Sequence, residues 1–286
     1  MWVDVVFVRT ADGLDLPAGF LPPRGPAAGT AADAIIVNGG TGSTFYSRPI
    51  FGVAPHLADA GFAVLSLSTR GHSIVWKQLG RAGYFGSAFE ILADCSLDFT
   101  AAIAFLADRG YSRIAILGHS NGGVKAIYYA AHAPDPRLAA VISCSGPRFS
   151  ARWYEQSEHA EEYRRNLARA RALAEAGDPF HLFELTFPTE PLLRSGPAYL
   201  DKYGGETYNF ELWADRIRVP LLRITGEHET NVNQRGVAED LMRLAVNSPH
   251  RKAVVLPGAG HRYTPAEEQL VAELTAAWLR SLPSAG

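Results

Sequence analysis

Short runs of apolar residues alternate along most of the chain with longer segments whose apolar residues recur at helical spacing. The apolar runs read AIIVN, GFAVLSLS, RIAILG, LAAVISCS, VPLLRITG and KAVVLPG. Runs of this length between helical segments are typical of buried strands. Because strands that alternate with helices pair in parallel, the pattern predicts an α/β fold in which helices flank a mostly parallel sheet.

The N-terminal part of the chain departs from this alternation. The stretch VDVVFVRTADGLDLPAGF holds two apolar runs on either side of Asp12 and Gly13. An Asp-Gly pair adopts the positive φ angles of a tight turn at low cost. We therefore expect an antiparallel hairpin ahead of the parallel sheet.

Helical spacing predicts helices from Ser87 to Asp108, from Asn121 or Gly122, near Gln234 and near Thr264. The last of these begins with Thr-Pro-x-Glu, which combines an N-cap, a proline suited to the first turn and a back-bonding carboxylate.

Residues 149–213 lack a convincing strand and contain a charged helical stretch, EEYRRNLARARALAEAG. They also hold 12 of the chain's 30 aromatic residues, more apolar surface than an exposed helix requires. We predict a helical cap over residues 149–213, inserted into a core domain made of residues 1–148 and 214–286. The cap would cover an apolar pocket, or its aromatic residues would only attach it to the core.

Composition excludes several classes of partner. The net charge of −2 and the isoelectric point near 6.5 give no reason to expect a nucleic acid as a partner.

The chain has no apolar run long enough to span a bilayer and no start typical of a secretory signal, so we expect a cytoplasmic protein. Its two cysteines, Cys95 and Cys144, are too few for a disulfide framework.

The stretch ILGHSNGG places Ser120 between a predicted strand and a predicted helix, with Gly118 and Gly122 two residues away on each side. A serine at the tip of such a tight turn takes a strained backbone conformation, and the crowded turn needs small flanking residues. The turn also points the backbone N–H of Asn121 at the space above the serine. In that context the Gly-x-Ser-x-Gly pattern indicates a nucleophile.

A serine nucleophile needs a base, and the base needs an acidic partner. His261 lies in the loop after the last apolar run, VVLPGAGHRYTP, at the sheet edge where such folds collect their chemistry. After the preceding run, ITGEHE offers Glu227 and Glu229 as the acid. We favour Glu229, because three residues beyond the strand-ending Gly226 give the chain room to turn towards the histidine.

The stretch IIVNGGTGSTFY follows the first predicted parallel strand and allows a close approach of backbone to substrate. We predict that the N–H groups of Gly40 and Asn121 form an oxyanion hole. A dinucleotide-binding loop is excluded, since Phe45 stands where that motif requires its third glycine.

The set NGGTGS, RGHS, GHSNGG, a glutamate after LLRITG, and PGAGH resembles the α/β-hydrolase superfamily from about Ala34 to Leu282. The resemblance implies an α/β-hydrolase fold with Ser120 as nucleophile, Glu229 as acid and His261 as base. It also implies a cap between the sixth and seventh strands, which matches residues 149–213.

Two residues depart from the usual pattern of that superfamily. Asn38 stands where a histidine usually precedes the glycines, and a glutamate replaces the commoner aspartate at position 229. The first change alters how the loop is braced, and the second is found in several branches of the superfamily.

We therefore expect a serine hydrolase of carboxylic esters, thioesters or lactones that acts through an acyl-enzyme on Ser120 and requires no cofactor or metal. The same residues would serve a carbon–carbon bond hydrolase, a peptidase or an acyltransferase, or persist in a ligand-binding protein with negligible turnover. The expected substrate is a small apolar or aromatic ester, bound by Thr41, Trp76, Trp153 and Tyr154. The sequence does not distinguish a monomer from a dimer.

Overall fold

An eight-stranded sheet forms the centre of the molecule in the computed structural model, which describes residues 3–26, 31–188 and 192–283. The strands of the described chain are β1 (Asp4–Arg9), β2 (Asp15–Leu21), β3 (Ala34–Asn38), β4 (Ala63–Leu67), β5 (Ile114–His119), β6 (Leu138–Cys144), β7 (Leu182–Leu185), β8 (Leu192–Ser195), β9 (Leu221–Gly226) and β10 (Arg251–Leu256). The sheet has the order β1-β2-β4-β3-β5-β6-β9-β10, and β4 to β10 of that order run in parallel. The predicted α/β fold and the N-terminal hairpin are confirmed.

Helices cover both faces of this sheet. They are α1 (Ile50–Asp59), α2 (Cys95–Ala107), α3 (Asn121–His132), α4 (Ala151–Gln156), α5 (Ala160–Glu175), α6 (Gly196–Tyr203), α7 (Val237–Leu244) and α8 (Pro265–Ser281). Alternate strand residues point to opposite faces. Ile35 and Val37 of β3 thus pack with α1 and α8, whereas Ile36 packs with α2 and α3.

The chain between β6 and β9 contains α4, α5 and α6, and it also contains a small antiparallel sheet. The expectation that this segment has no strand was wrong, because β7 pairs with β8 from Leu182 opposite Ser195 to Leu185 opposite Leu192. Each of these strands has only four residues, too few for a period to stand out in the sequence. The division into a cap over residues 149–213 and a core of residues 1–148 and 214–286 stays a prediction.

Two helices begin later than their spacing predicts. The helix expected from Ser87 starts at Cys95, because the N–H groups of Ser87 and Ala88 bond instead to carbonyls of the loop after β4. The helix expected near Gln234 starts at Val237, beyond a short 3₁₀ turn. The starts of α3 and α8 are confirmed, and α8 carries the predicted capping box.

The loop after β4 is held by buried polar groups. Asp98 of α2 accepts hydrogen bonds from both the backbone N–H and the side-chain Nε of Arg70, each at 2.9 Å.

In the same loop, the ring of His72 is buried and stacks on Trp76 with 4.6 Å between ring centroids. Burial, together with the charge of Lys125, lowers the pKa of His72 to about 4. His72 is therefore neutral at physiological pH.

Ile116 lies in the middle of β5 and is fully buried. We expect Ile116→Ala to lower the free energy of unfolding by about 2–5 kcal/mol, because it removes apolar contacts and leaves a cavity. Val255→Ala, on the exposed face of β10, is the control and should cost less than about 0.5 kcal/mol. Urea titrations of both variants test this, and equal losses would contradict the assignment of β5 to the core.

His72 should make the protein less stable in mild acid. Its imidazole takes up a proton near pH 6.5 in the unfolded chain but only near pH 4 in the folded one, so the unfolded state binds more protons between these values. As the pH is lowered through that window, the free energy of unfolding should decrease by up to about 1.4 kcal/mol per pH unit. Urea titrations at pH 6.5, 5.5 and 4.5 should show a flatter fall for His72→Gln than for wild type. Equal slopes for wild type and His72→Gln would refute the role.

Candidate active site

Ser120 occupies the tight turn between β5 and α3. Its backbone has a positive φ, with φ 55° and ψ −124°, a strained conformation for a residue with a side chain. A Cβ on Gly118 would lie 2.0 Å from the carbonyl oxygen of Gly122. A Cβ on Gly122 would lie 2.5 Å from the carbonyl oxygens of Asn38 and Gly39. The two glycines therefore make the turn possible.

Three side chains from three loops form a continuous hydrogen-bonded chain at this turn. The Nε2 atom of His261, in the loop between β10 and α8, lies 3.0 Å from Ser120 Oγ. The Nδ1 atom of the same ring lies 3.0 Å from Oε2 of Glu229, in the loop after β9. With Nδ1 donating to the carboxylate, Nε2 of a neutral imidazole is left as an acceptor for the serine hydroxyl.

Of the two glutamates in the loop after β9, only Glu229 contacts His261 among the described residues. Glu227 is exposed, and its Oε2 accepts a bond of 2.8 Å from the backbone N–H of Gly258. The preference for Glu229 over Glu227 thus agrees with the geometry.

The surroundings of Glu229 favour its charged form. Burial by itself would raise the pKa of this carboxyl. The hydrogen bond from His261, together with the nearby Ser145 hydroxyl and the charge of Arg223, outweighs burial and lowers the pKa below its ordinary value. Glu229 is therefore a carboxylate able to orient the imidazole and to stabilise it when it becomes protonated.

His119, the residue before Ser120, supports the loop that carries His261. Its Nε2 donates to the carbonyl oxygen of His261 at 2.8 Å, and its ring centroid lies 5.0 Å from that of His261. Burial and the nearby His261 lower the pKa of His119 to about 3. His119 is thus a neutral structural contact rather than a second base.

Two backbone segments lie next to Ser120. Gly40, in the loop after β3, lies so close that a Cβ there would be 3.1 Å from the Cβ of Ser120. Asn121 is the first residue of α3, where backbone N–H groups have no partner within the helix. Both residues line the space next to the serine hydroxyl, as an oxyanion hole requires.

A cavity of about 790 Å³ contains Ser120 and His261 in its wall. Its size suits a small-molecule ligand. Apolar and aromatic side chains form one part of the wall: Pro147, Phe149, Phe187, Pro188, Leu192, Val232 and Tyr263. Polar and charged side chains form the other part, among them Arg48, Glu158, His159, Thr230, Asn231, Arg235 and Arg262.

Of the four residues predicted to bind substrate, Thr41 lines this cavity and Trp76 does not. The Nε1 atom of Trp76 donates to the carbonyl oxygen of Arg70 at 2.9 Å, and its ring stacks on His72. These contacts hold the indole within its own loop and away from the described wall of the cavity.

Trp153 and Tyr154 also lie outside the described wall of the cavity. Tyr154 is fully buried, and its hydroxyl donates to the carbonyl oxygen of Arg148 at 2.8 Å. Trp153 packs edge-on against Tyr154. The aromatic side chains of the segment between β6 and β9 that do line the cavity are Phe149 and Phe187. Aromatic content pointed to this segment, but nothing in the sequence distinguished these two from their neighbours.

Across residues 3–26, 31–188 and 192–283, no three His, Cys, Asp or Glu side chains group as metal ligands would. Over the same described residues, none of the helices has the length and apolar character needed to cross a bilayer.

Solved structures of similar fold cover nearly the whole chain. The alpha/beta hydrolase GrgF from Penicillium sp. sh18 has a TM-score of 0.71 at 16% identity, over 99% of this chain and 100% of that one. The esterase domain of a Rhodothermus marinus protein has a TM-score of 0.60 at 19% identity, over 98% of both chains. The Paleococcus ferrophilus monoacylglycerol lipase has a TM-score of 0.63 at 18% identity, over 94% of this chain and 99% of that one.

A search of curated protein sequences finds no relative. The sequence profile of the alpha/beta hydrolase family, however, matches residues 34–276. This match runs from the first residue of β3 into α8 and includes Ser120, Glu229 and His261. The chain therefore belongs to the alpha/beta hydrolase family.

Proposed function

We propose that the protein is a serine hydrolase that cleaves a carboxylic ester through an acyl-enzyme on Ser120. The observation that carries the proposal is the chain of two 3.0 Å contacts from Ser120 Oγ through His261 to Glu229. Such a chain lets an imidazole remove the proton of a hydroxyl that is barely ionised at neutral pH.

Acylation begins when Ser120 Oγ attacks the ester carbonyl carbon. His261 Nε2 takes the hydroxyl proton as the new C–O bond forms, and Glu229 stabilises the resulting imidazolium. The tetrahedral intermediate then collapses. His261 returns the proton to the departing alcohol oxygen as the old C–O bond breaks, which leaves the acyl group on Ser120.

The negative charge on the carbonyl oxygen needs hydrogen-bond donors that are already in place. The backbone N–H groups of Gly40 and Asn121 flank Ser120 and would supply two of them. The N-terminal end of α3 adds the positive end of a helix dipole. Donors fixed in this way lower the barrier because they do not reorganise during the reaction.

Deacylation repeats these steps with water. His261 Nε2 removes a proton from the water that attacks the acyl carbon, and it gives that proton back to Ser120 Oγ when the acyl bond breaks. The carboxylic acid leaves, and the serine hydroxyl is restored without any cofactor.

The cavity wall indicates the kind of substrate. Phe149, Phe187 and Leu192 supply apolar surface for an apolar or aromatic acyl or alcohol group, and Thr41 lies beside the predicted oxyanion donor Gly40. The first three residues belong to the predicted cap over residues 149–213, which supports a role for that segment in covering the substrate. The esterase and lipase activities named for two structures of similar fold are in keeping with this substrate class.

Replacing Ser120 tests the nucleophile. Ser120→Ala should not form the single covalent adduct that wild type forms with a fluorophosphonate, and its hydrolysis of p-nitrophenyl esters should fall by about 10⁴-fold or more. Intact mass spectrometry and a chromogenic assay measure the two effects. Ser112→Ala, which changes an exposed serine, should behave as wild type. Adduct formation by Ser120→Ala, or a wild type that neither labels nor hydrolyses, would refute the proposal.

The two neighbouring glutamates provide a matched pair for testing the acid. Glu229→Gln should lower kcat by roughly 10³- to 10⁴-fold, because an amide neither stabilises the imidazolium nor enforces the right tautomer. Glu227→Gln changes the same residue type two positions away and should keep kcat within about twofold, since its side chain bonds only to Gly258 among the described residues. If Glu227→Gln lowered kcat more than Glu229→Gln, the assignment of the acid to Glu229 would be wrong.

A further inference from the structure

Glu90 is a buried carboxylate outside the hydrogen-bonded chain of Ser120, His261 and Glu229. It lies in the connection between β4 and α2, and its side chain is 2% exposed. Packing around it is tight, because a Cβ on Gly71 would lie 1.9 Å from Glu90 Oε1. A charged group buried this deeply is costly unless partners surround it.

Glu90 has cationic partners from two separate parts of the chain. Its Oε1 pairs with Nζ of Lys125 on α3, and its Oε2 lies 2.8 Å from Nζ of Lys202 on α6. Burial alone would favour the neutral acid, but these two ammonium groups hold the pKa of Glu90 well below its usual range. The carboxylate therefore only accepts hydrogen bonds.

The third partner of Glu90 is Asn121, the residue that follows Ser120. Asn121 Nδ2 donates to Glu90 Oε2 at 3.2 Å. Because a carboxylate accepts but does not donate, the amide must turn its NH₂ group towards Glu90. The side chain of Asn121 is thereby fixed on the first residue of α3, and Asn121 lines the cavity together with Ser120.

We propose that Glu90 is a positioning residue that acts through Asn121 to hold the N-terminus of α3 and its oxyanion-binding N–H in place. The proposal rests on the proposed function, since it assigns Glu90 to the same reaction. Through Lys202 the same carboxylate also connects the segment between β6 and β9 to this donor. Glu90 touches no reacting atom.

A purely structural ion cluster would predict a different pattern of effects. In that case the protein would lose stability when Glu90 is changed, but the effect of the change on kcat would be the same whichever side chain stands at position 121. If Glu90 acts through Asn121, the two substitutions must be strongly non-additive in kcat. Asn121→Ala is informative because it keeps the backbone N–H and removes the side-chain amide that bonds to Glu90.

The test is a cycle of wild type, Glu90→Gln, Asn121→Ala and the double variant. We expect kcat for a p-nitrophenyl ester and the rate of fluorophosphonate labelling to fall by about tenfold in each single variant, as expected for a small misplacement of a catalytic donor. The double variant should be no slower than Asn121→Ala, and KM should change less than kcat.

Asp98→Asn is the matched control, because Asp98 is a fully buried, ion-paired carboxylate that bonds to Arg70 rather than to Asn121. It should lose stability but keep kcat.

Each result bears on one of the two proposals. An Asn121→Ala variant with wild-type kcat overturns the role of Glu90, and it remains informative if Glu90→Gln does not fold. Additive losses in the double variant also overturn it. A loss of kcat in Asp98→Asn equal to that in Glu90→Gln also overturns it, because Asp98 has no contact with Asn121 among the described hydrogen bonds. A wild type that neither labels nor hydrolyses overturns the proposed function itself.

Discussion

The strained, positive-φ backbone at Ser120 is the constraint on which the geometry of the site depends. Such a conformation costs about 1–3 kcal/mol for a residue with a side chain and persists only where the surroundings enforce it. Here Gly118 and Gly122 leave room for the turn, and the Ser120 N–H donates to the carbonyl oxygen of Cys144 on β6 at 2.8 Å. The hydroxyl position is therefore set by two central strands and one helix rather than by a flexible loop.

The parallel sheet explains why residues far apart in the sequence meet at that turn. Gly40, Ser120, Glu229 and His261 each lie beyond the carboxyl end of a different strand, and parallel strands present those ends at one edge. β3, β5 and β9 are almost entirely buried, β10 is the edge strand, and each is fixed in register with its neighbours. The spacing of the loops is therefore set by the sheet. The side chains of Ser120, His261 and Glu229 therefore come within 3.0 Å of each other along this chain of contacts although they are not neighbours in the sequence.

Buried charges provide a second connection, between α3 and the chain segment that joins β6 to β9. Glu90 pairs with Lys125 of α3 and with Lys202 of α6 at a point where all three side chains are almost fully buried. Buried ion pairs add little to stability compared with well-packed apolar side chains, but breaking one is costly. Such a cluster therefore fixes the geometry of these elements more than it stabilises the fold.

The sequence by itself determined the alternation of strands and helices, the N-terminal hairpin, the turn at Ser120 and the choice of Glu229 and His261 as its partners. The strands, helices and turn follow from local periodicity and glycine spacing, which are properties of neighbouring residues. The choice of Glu229 and His261 follows from the positions of their loops after successive predicted strands. Only the tertiary structure decided that Phe149 and Phe187, rather than Trp153 and Tyr154, line the cavity, and that α2 begins late because the chain before it bonds elsewhere. The physical reason is that cavity lining and buried charge pairing depend on segments distant in sequence, whose packing leaves no local pattern.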